Sequence, residues 1–97
     1  MKRFVVLVDD ATVVQQNAVT TWLSTTKFGY WHHFTDMWLV VAYGTDTWNA
    51  ALLRDRLLAE VPGATMMVMG VANAHDWAGF GPPEVFKWVN DTFPVER

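Results

Sequence analysis

Two apolar runs separated by only two residues constrain the fold of this chain more than any other feature. The runs are YWHHF (30–34) and MWLVVAY (37–43), and Thr35 and Asp36 lie between them. Each run has the length and the aromatic and β-branched content of a strand. A two-residue connection joins antiparallel strands, although this one lacks the glycine that such turns favour. The sequence therefore predicts a β-hairpin over residues 30–43.

The residues before the hairpin predict a strand followed by a helix. RFVVLVDD (3–10) is a short β-branched run that ends in two carboxylates, a pattern typical of a buried strand. Thr12 and Gln15 have the spacing of a capping box. An apolar stripe at helical spacing follows, and we expect Gly29 to end this element. The members of the stripe are Val14, Ala18, Val19, Trp22 and Leu23.

The second half of the chain predicts another helix, another strand and a last helix. Thr47 can cap the segment WNAALLRDRLLAEV (48–61). The apolar face of this segment consists of Ala50, Leu53, Leu57, Leu58 and Val61. TMMVMGVA (65–72) has the composition of a buried strand. PEVFKWVNDTF (83–93) predicts a short helix with Pro83 in its first turn.

The predicted element order is β-α-β-β-α-β followed by a C-terminal helix. This order is typical of the ferredoxin-like plan, an α+β fold in which two helices pack on one face of an antiparallel sheet. A chain of 97 residues has room for one core, so we expect residues 1–97 to form a single domain. The other face of the sheet then needs cover, which a second copy of the protein could supply.

Charge and composition narrow the classes of function. Ten acidic residues against seven basic ones give a formal charge of −3, whereas nucleic-acid-binding domains usually carry a net basic face. This balance counts against a nucleic-acid partner, although a local basic patch would still allow one. The chain has no cysteine for a disulfide or a thiolate metal site. It has no membrane-spanning run and no signal-peptide pattern, so we expect a soluble, cytoplasmic protein.

The adjacent histidines of the hairpin raise the question of a metal site. Neighbouring side chains of a strand point to opposite faces, so we expect His32 to share a face with Phe34. His33 then shares the opposite face with Trp31. Zinc needs three or four converging ligands, and the one further histidine is His75, in a distant loop. We therefore favour partly buried histidines that bond the backbone or water over a zinc site.

A second candidate site is the carboxylate pair at the end of the first strand. Asp9 could bind a divalent cation if further oxygen ligands lay nearby. The spacing favours a structural role instead, in which Asp10 caps the next helix and Asp9 belongs to the turn. Arg54 falls on the apolar arc of its helix, where its charge could pair with a carboxylate or lie at an interface. We favour packing of its aliphatic stem at the rim of the core.

The chain as a whole resembles the small Cas2-like proteins, and among them the SinR-like set. Three segments carry this resemblance: FVVLVDD (4–10), YWHHFTDMWLV (30–40) and WAGFGPPEVFKWV (77–89). The first is a strand that ends in an aspartate. The second is similar to that set's hairpin, in which a tryptophan–histidine pair, a short turn and a second tryptophan follow one another. The third is similar to its closing helix, which is rich in glycine, proline and tryptophan.

The resemblance implies a ferredoxin-like homodimer. In Cas2-type nucleases each protomer contributes one aspartate from the end of its first strand, and the two bind a divalent metal that activates water for phosphodiester cleavage. Asp9 is the matching position here, with Mg²⁺ or Mn²⁺ as the implied cofactor. The acidic balance favours a non-catalytic member of the family, as does Thr35 at a position where SinR-like chains are expected to carry an acidic residue.

Three hypotheses follow. The first is a non-catalytic dimeric interaction protein, without a cofactor, that uses a tryptophan-rich surface to bind itself and a protein partner. The second is a metal-dependent endonuclease of RNA or DNA, with Asp9 as its catalytic residue and metal ligand. The third is a structural dimer with no further partner. The presence of six tryptophans on one thin core indicates a contact surface. Its candidate residues are Trp31, Trp38, Trp48, Trp77 and Trp88.

Overall fold

One four-stranded sheet organises the chain, whose computed structural model describes residues 1–44, 47–72 and 76–93. In chain order the elements are strand β1 (Lys2–Val8), helix α1 (Val13–Thr25), strand β2 (Gly29–Phe34), strand β3 (Met37–Ala42), helix α2 (Ala50–Glu60), strand β4 (Met66–Gly70), a 3₁₀ turn (Pro83–Phe86) and helix α3 (Lys87–Thr92). The strands lie in the order β2-β3-β1-β4, and all neighbours are antiparallel. This confirms the predicted α+β class, with the βαββαβ order of the ferredoxin-like plan and a short C-terminal helix.

Helices α1 and α2 both cover one face of the sheet, here called the helix face. Alternation along β1 sends Phe4, Val6 and Val8 to this face, where all three are buried. Leu23 of α1 and Leu57 of α2 pack into the same cluster and have no exposed surface. Burying one such aliphatic side chain stabilises a fold by roughly 1.5–3 kcal/mol, so this layer is the main core.

The opposite face, here called the open face, is covered in part by the C-terminal segment (residues 76–93). Trp31 of β2 and Val41 of β3 are buried there in one cluster with Val89 and Phe93. The chain itself therefore supplies part of the cover that we expected from a second copy.

The predicted hairpin is present, with Thr35 and Asp36 between β2 and β3. Its register shifts between Trp31 and Phe34, where β2 has one residue more than β3. An extra residue of this kind reverses the faces beyond it. Phe34 therefore lies beside Trp31 on the open face, with ring centres 4.9 Å apart, and the expected pairing of Phe34 with His32 on one face is wrong.

The N-terminus of α1 agrees with the prediction and that of α2 does not. Thr12 accepts a hydrogen bond from the backbone N–H of Gln15, whose side chain accepts from the N–H of Thr12, so the capping box is confirmed. The N-cap of α2 is Asn49 rather than Thr47. Asn49 has an extended backbone, from which its side-chain oxygen accepts the N–H of Leu52 at 2.8 Å.

Two further expectations for α1 are wrong. The helix ends at Thr25, the chain turns through a left-handed Lys27 (φ 63°), and Gly29 is already the first residue of β2. Val14 is exposed rather than part of the apolar stripe. The buried arc centres on Val19, and Val14 lies about 140° away from it around a helix of 3.6 residues per turn.

Candidate functional site

The part of the open face beyond the C-terminal segment carries apolar side chains across the whole sheet. Met37 of β3 lies opposite Phe34 on β2 and opposite Leu7 on β1. Leu7 in turn lies opposite Met67 on β4, and Met69 extends the set along that strand. Phe34, Met67 and Met69 are 51%, 56% and 45% exposed. We call these five residues the apolar row.

The C-terminal segment is anchored toward the other end of the open face. Trp31 Nε1 donates to Val85 O at 2.7 Å, and Arg3 Nε donates to Thr92 O at 3.2 Å. The Arg3 guanidinium also lies 5.4 Å from the centre of the Phe93 ring, within the range of a cation–π contact. Arg3 is four residues along β1 from Leu7, so this anchor lies at a distance from Leu7 and from Met67 opposite it. Phe34 and Met37, at the β2 side of the row, border the segment.

Strand β4 is an edge strand without the usual protection against pairing with another chain. Its residues, Met66–Gly70, include no charged residue and no proline. Among the described residues, no strand other than β1 pairs with it. The opposite edge, β2, is interrupted by its irregular register. Charges, prolines and bulges are the means by which proteins protect sheet edges, so β4 is the unprotected edge.

Asp9, the predicted metal ligand, directly follows β1 and is exposed. With Asp36 it borders a depression that also includes Leu7 and Met67 of the apolar row. The Asp36 carboxylate is already engaged, because its Oδ1 accepts the N–H of Ala11 at 3.0 Å. Within residues 1–44, 47–72 and 76–93, no three His, Cys, Asp or Glu side chains converge to hold a metal ion. A metal at Asp9 would therefore need ligands from a second copy or from water.

The structure shows what Asp10 and Arg54, two residues given structural roles from the sequence, contact or do. Asp10 does not cap α1, because Thr12 does; it turns the chain with a left-handed φ of 48°, which aspartate tolerates better than most residues. Arg54 donates from Nε and Nη2 to Oδ1 of Asp55, at 3.0 and 2.8 Å. Of the interpretations given for Arg54, pairing with a carboxylate is observed, at an exposed position of α2.

His32 is a structural residue of the hairpin, as predicted. Its ring stacks on that of Trp38, with centres 4.0 Å apart and planes 3° from parallel. Its Nδ1 lies 2.9 Å from Met37 O, and its Nε2 lies 3.1 Å from Gln16 Oε1. Both ring nitrogens are therefore occupied by partners within the chain.

His33 does not converge with His32 on a common site. His33 is exposed, and its ring centre lies 5.2 Å from that of Trp31. His75 lies outside the described residues.

Of the tryptophans named as interface candidates, Trp31 and Trp38 are covered by the chain itself and Trp48 is partly buried. Trp38 is completely buried in the core of the helix face, and Trp31 is buried under the C-terminal segment. Trp48 packs edge-on against Trp22 and Phe28, with ring centres 6.0 and 5.0 Å apart. Trp31 and Trp38 therefore offer no surface to a partner in this conformation.

The remaining two candidates belong to the C-terminal segment. Trp77 Nε1 donates to Phe93 O at 2.6 Å, and the Trp88 ring lies edge-on to that of Phe93. Both tryptophans are partly buried. The sequence reasoning missed Met67 and Met69, whose alternate spacing does place them on one face. No local signal shows that their strand lies at an edge of the sheet, where they stay exposed.

The function of this chain has to be inferred from the apolar row, the edge strand β4 and the surroundings of Asp9. Comparisons with protein-family models, with curated proteins and with solved structures each give no match. In the three described ranges, no helix has both the length and the hydropathy needed to cross a bilayer.

Proposed function

We infer that this chain is a non-catalytic interaction protein of the Cas2-like type that forms a homodimer and presents that dimer to a protein partner. The observation that carries this proposal is the apolar row, which crosses all four strands, has three exposed members in Phe34, Met67 and Met69, and ends at the unprotected edge β4. Exposed apolar patches of a few hundred Å² on small proteins often mark interaction sites.

The apolar row by itself gives a limited energy of association. Covering the exposed half of a phenylalanine or methionine side chain contributes about 1 kcal/mol. Met67 and Met69, the half-exposed members on β4, then contribute about 4 kcal/mol to a dimer from both protomers, against roughly 4–15 kcal/mol of lost rigid-body freedom. Backbone hydrogen bonds between two β4 strands would add about 1 kcal/mol each. We therefore expect the row and the edge to be used together in a dimer of moderate affinity.

A second copy of the chain suits this surface well. Strand β4 has no charged side chain, so a partner strand needs no charge complementary to it. A twofold axis beside the edge places β4 antiparallel to its counterpart, and the methionines of both protomers then meet on one face of a continuous sheet. Methionine side chains adapt readily to one another because they are unbranched and polarizable.

The substitution Met67→Lys tests the dimer. A lysine at a sheet edge opposes strand pairing and adds charge to the apolar row. We expect the parent chain to sediment as a dimer at high micromolar concentration and Met67→Lys to sediment as a folded monomer. Val13→Lys is the matched control, because Val13 is also an exposed apolar residue but lies at the start of α1. A monomeric parent, or a dimeric Met67→Lys variant, would contradict the proposal.

A metal-dependent endonuclease of RNA or DNA is the second candidate, and one observation favours it. Asp9 borders the same depression as Leu7 and Met67 of the apolar row. A second copy docked on the row would lie close to Asp9, and carboxylates from two protomers could together hold one Mg²⁺ or Mn²⁺ ion.

Asparagine substitutions separate the two candidates. On our proposal the parent chain cleaves neither RNA nor DNA in the presence of Mg²⁺ or Mn²⁺. Cleavage that is lost in Asp9→Asn and kept in Asp10→Asn would establish the nuclease instead. Asp10 is a matched control because it is adjacent and exposed, and asparagine also tolerates its left-handed backbone.

A further inference from the structure

A pocket of about 250 Å³ lies between the open face of the sheet and the C-terminal segment. Among the described residues that line it, Asp76 alone carries a charge. Its aromatic lining consists of Trp31, Phe34, Trp77, Phe86 and Phe93. An apolar cavity of about 150 Å³ is large enough to hold benzene, so this pocket has room for a small organic molecule.

The aromatic walls of the pocket are held in place by one another. The ring of Phe86 stacks on those of Trp31 and Trp77, with centres 6.0 and 6.1 Å away and planes inclined by 24° and 30°. Gly79 allows the preceding loop to pass against Phe86, because a Cβ at this position would lie 2.6 Å from the ring. Three of the aromatic walls of the pocket are thus packed against one another.

The N–H groups of the two tryptophans are not available to a ligand in the pocket. Trp31 Nε1 donates to Val85 O at 2.7 Å, and Trp77 Nε1 donates to Phe93 O at 2.6 Å. The described lining residues include no lysine, arginine or histidine to attract an anion. Ring faces are electron-rich and attract positive charge, as does a carboxylate.

We propose that this pocket binds a small organic cation, an ammonium group that carries apolar substituents. The aromatic walls attract the cation, Asp76 supplies the opposite charge, and the apolar substituents fill the remaining space. The net charge of −3 adds a long-range attraction for cations. All lining residues come from one protomer, and two of them, Phe34 and Met37, also belong to the apolar row.

Choline and its uncharged carbon analogue 3,3-dimethylbutan-1-ol are suitable probes because they share nearly the same shape and differ in charge. The indole N–H signals of Trp31 and Trp77 in an NMR titration report on binding at the walls. We expect saturable binding of choline, at least tenfold tighter than that of the alcohol. Equal affinities, or no saturable shift with choline, would overturn the proposal.

Substitutions of three exposed residues complete the test. Asp76→Asn keeps the shape of the side chain and removes its charge, so we expect at least a fivefold loss of choline affinity and unchanged binding of the alcohol. Asp91→Asn is the matched control, because Asp91 is an exposed carboxylate of α3 that does not line the pocket. Choline affinity that is unchanged in Asp76→Asn, or lowered equally in both variants, would overturn the role of Asp76.

Phe80 allows a test of a different occupant of the pocket, an aromatic side chain of a second copy of the chain. This residue is fully exposed on the loop beside the pocket, and an aromatic ring from a second copy is the right kind of group to fill it. Choline should bind the parent chain and Phe80→Ala alike. Binding that appears only in Phe80→Ala would identify Phe80 of a second copy as the natural occupant and overturn the proposal.

Discussion

The helix face and the open face of the sheet are closed by different kinds of element. Helices of 13 and 11 residues cover the helix face, whereas a 3₁₀ turn of four residues and a helix of six cover the open face. The first closure leaves Val6, Val8 and Trp38 with no exposed surface. The second leaves the apolar row and the pocket. Long helices complete a core, and a short covering segment leaves apolar surface available for binding.

The helix ends show the same difference. Helix α1 begins with its capping box and α2 with the Asn49 side chain, whereas neither the 3₁₀ turn nor α3 has a side-chain cap. A cap contributes about 1 kcal/mol, and a helix of one or two turns is unstable by itself. The C-terminal segment therefore depends on its packing against the sheet and on anchors such as Arg3.

The largest effect is expected in the core of the helix face. Leu57→Ala should lower the free energy of unfolding by about 3 kcal/mol, because Leu57 is fully buried and the change leaves a cavity. Urea unfolding measures this loss. The neighbouring Leu58 is only partly buried, so Leu58→Ala should lose less than half as much. Similar losses in the two variants would contradict the view that this face is the complete core.

A smaller and more local effect is expected under the C-terminal segment. Val89→Ala removes two buried methyl groups and should lower stability by about 1.5 kcal/mol. Because α3 is short and uncapped, we expect the loss to appear first as faster amide hydrogen exchange in α3, with β1 and β3 unchanged. Equal acceleration in β1 would show that the two faces unfold as one unit.

Removal of the cap of α1 should have a still smaller effect, but one that reaches the whole fold. Thr12→Ala loses the side-chain half of the capping box and should lower the free energy of unfolding by about 1 kcal/mol. Thr12→Ser keeps the hydroxyl and should stay close to the parent chain in thermal unfolding. An Ala variant as stable as the Ser variant would show that packing alone holds α1.

The smallest effect is expected at the ion pair on the surface of α3. Lys87 Nζ and Asp91 Oδ2 are 3.8 Å apart, and both side chains are largely exposed. Exposed pairs at this spacing contribute little, so Lys87→Ala should change the free energy of unfolding by no more than about 0.3 kcal/mol. A loss as large as that of Thr12→Ala would mean that α3 is stabilised by its own surface rather than by the sheet.

The parts of the fold that the sequence predicted depend on neighbouring residues. The capping box needs only Thr12 and Gln15, and the hairpin follows from two apolar runs across Thr35 and Asp36. The position of Asp9 at the end of β1 is equally local. Such signals survive folding because the residues that produce them are close together before any tertiary contact forms.

The parts that the sequence did not predict depend on distant partners. Trp31 is buried because it packs under the C-terminal segment, where its indole N–H donates to Val85 O, and no pattern near either residue indicates the other. The face of Phe34 depends on one extra residue in β2, and the exposure of Met67 depends on the order of the strands. The apolar row and the pocket could therefore not be predicted from the sequence, because both depend on which part of the open face the C-terminal segment covers.

The close approach of Gly79 to Phe86 limits how this sequence can diverge during evolution. A side chain at position 79 would begin 2.6 Å from the Phe86 ring, and that ring is itself stacked on Trp31 and Trp77. A mutation of Gly79 alone therefore disrupts the stack, whereas a simultaneous change to a smaller residue at position 86 relieves the clash. Descendants of this chain should keep the glycine and the three rings together or lose them together, so that selection acts on the four positions as one inherited unit.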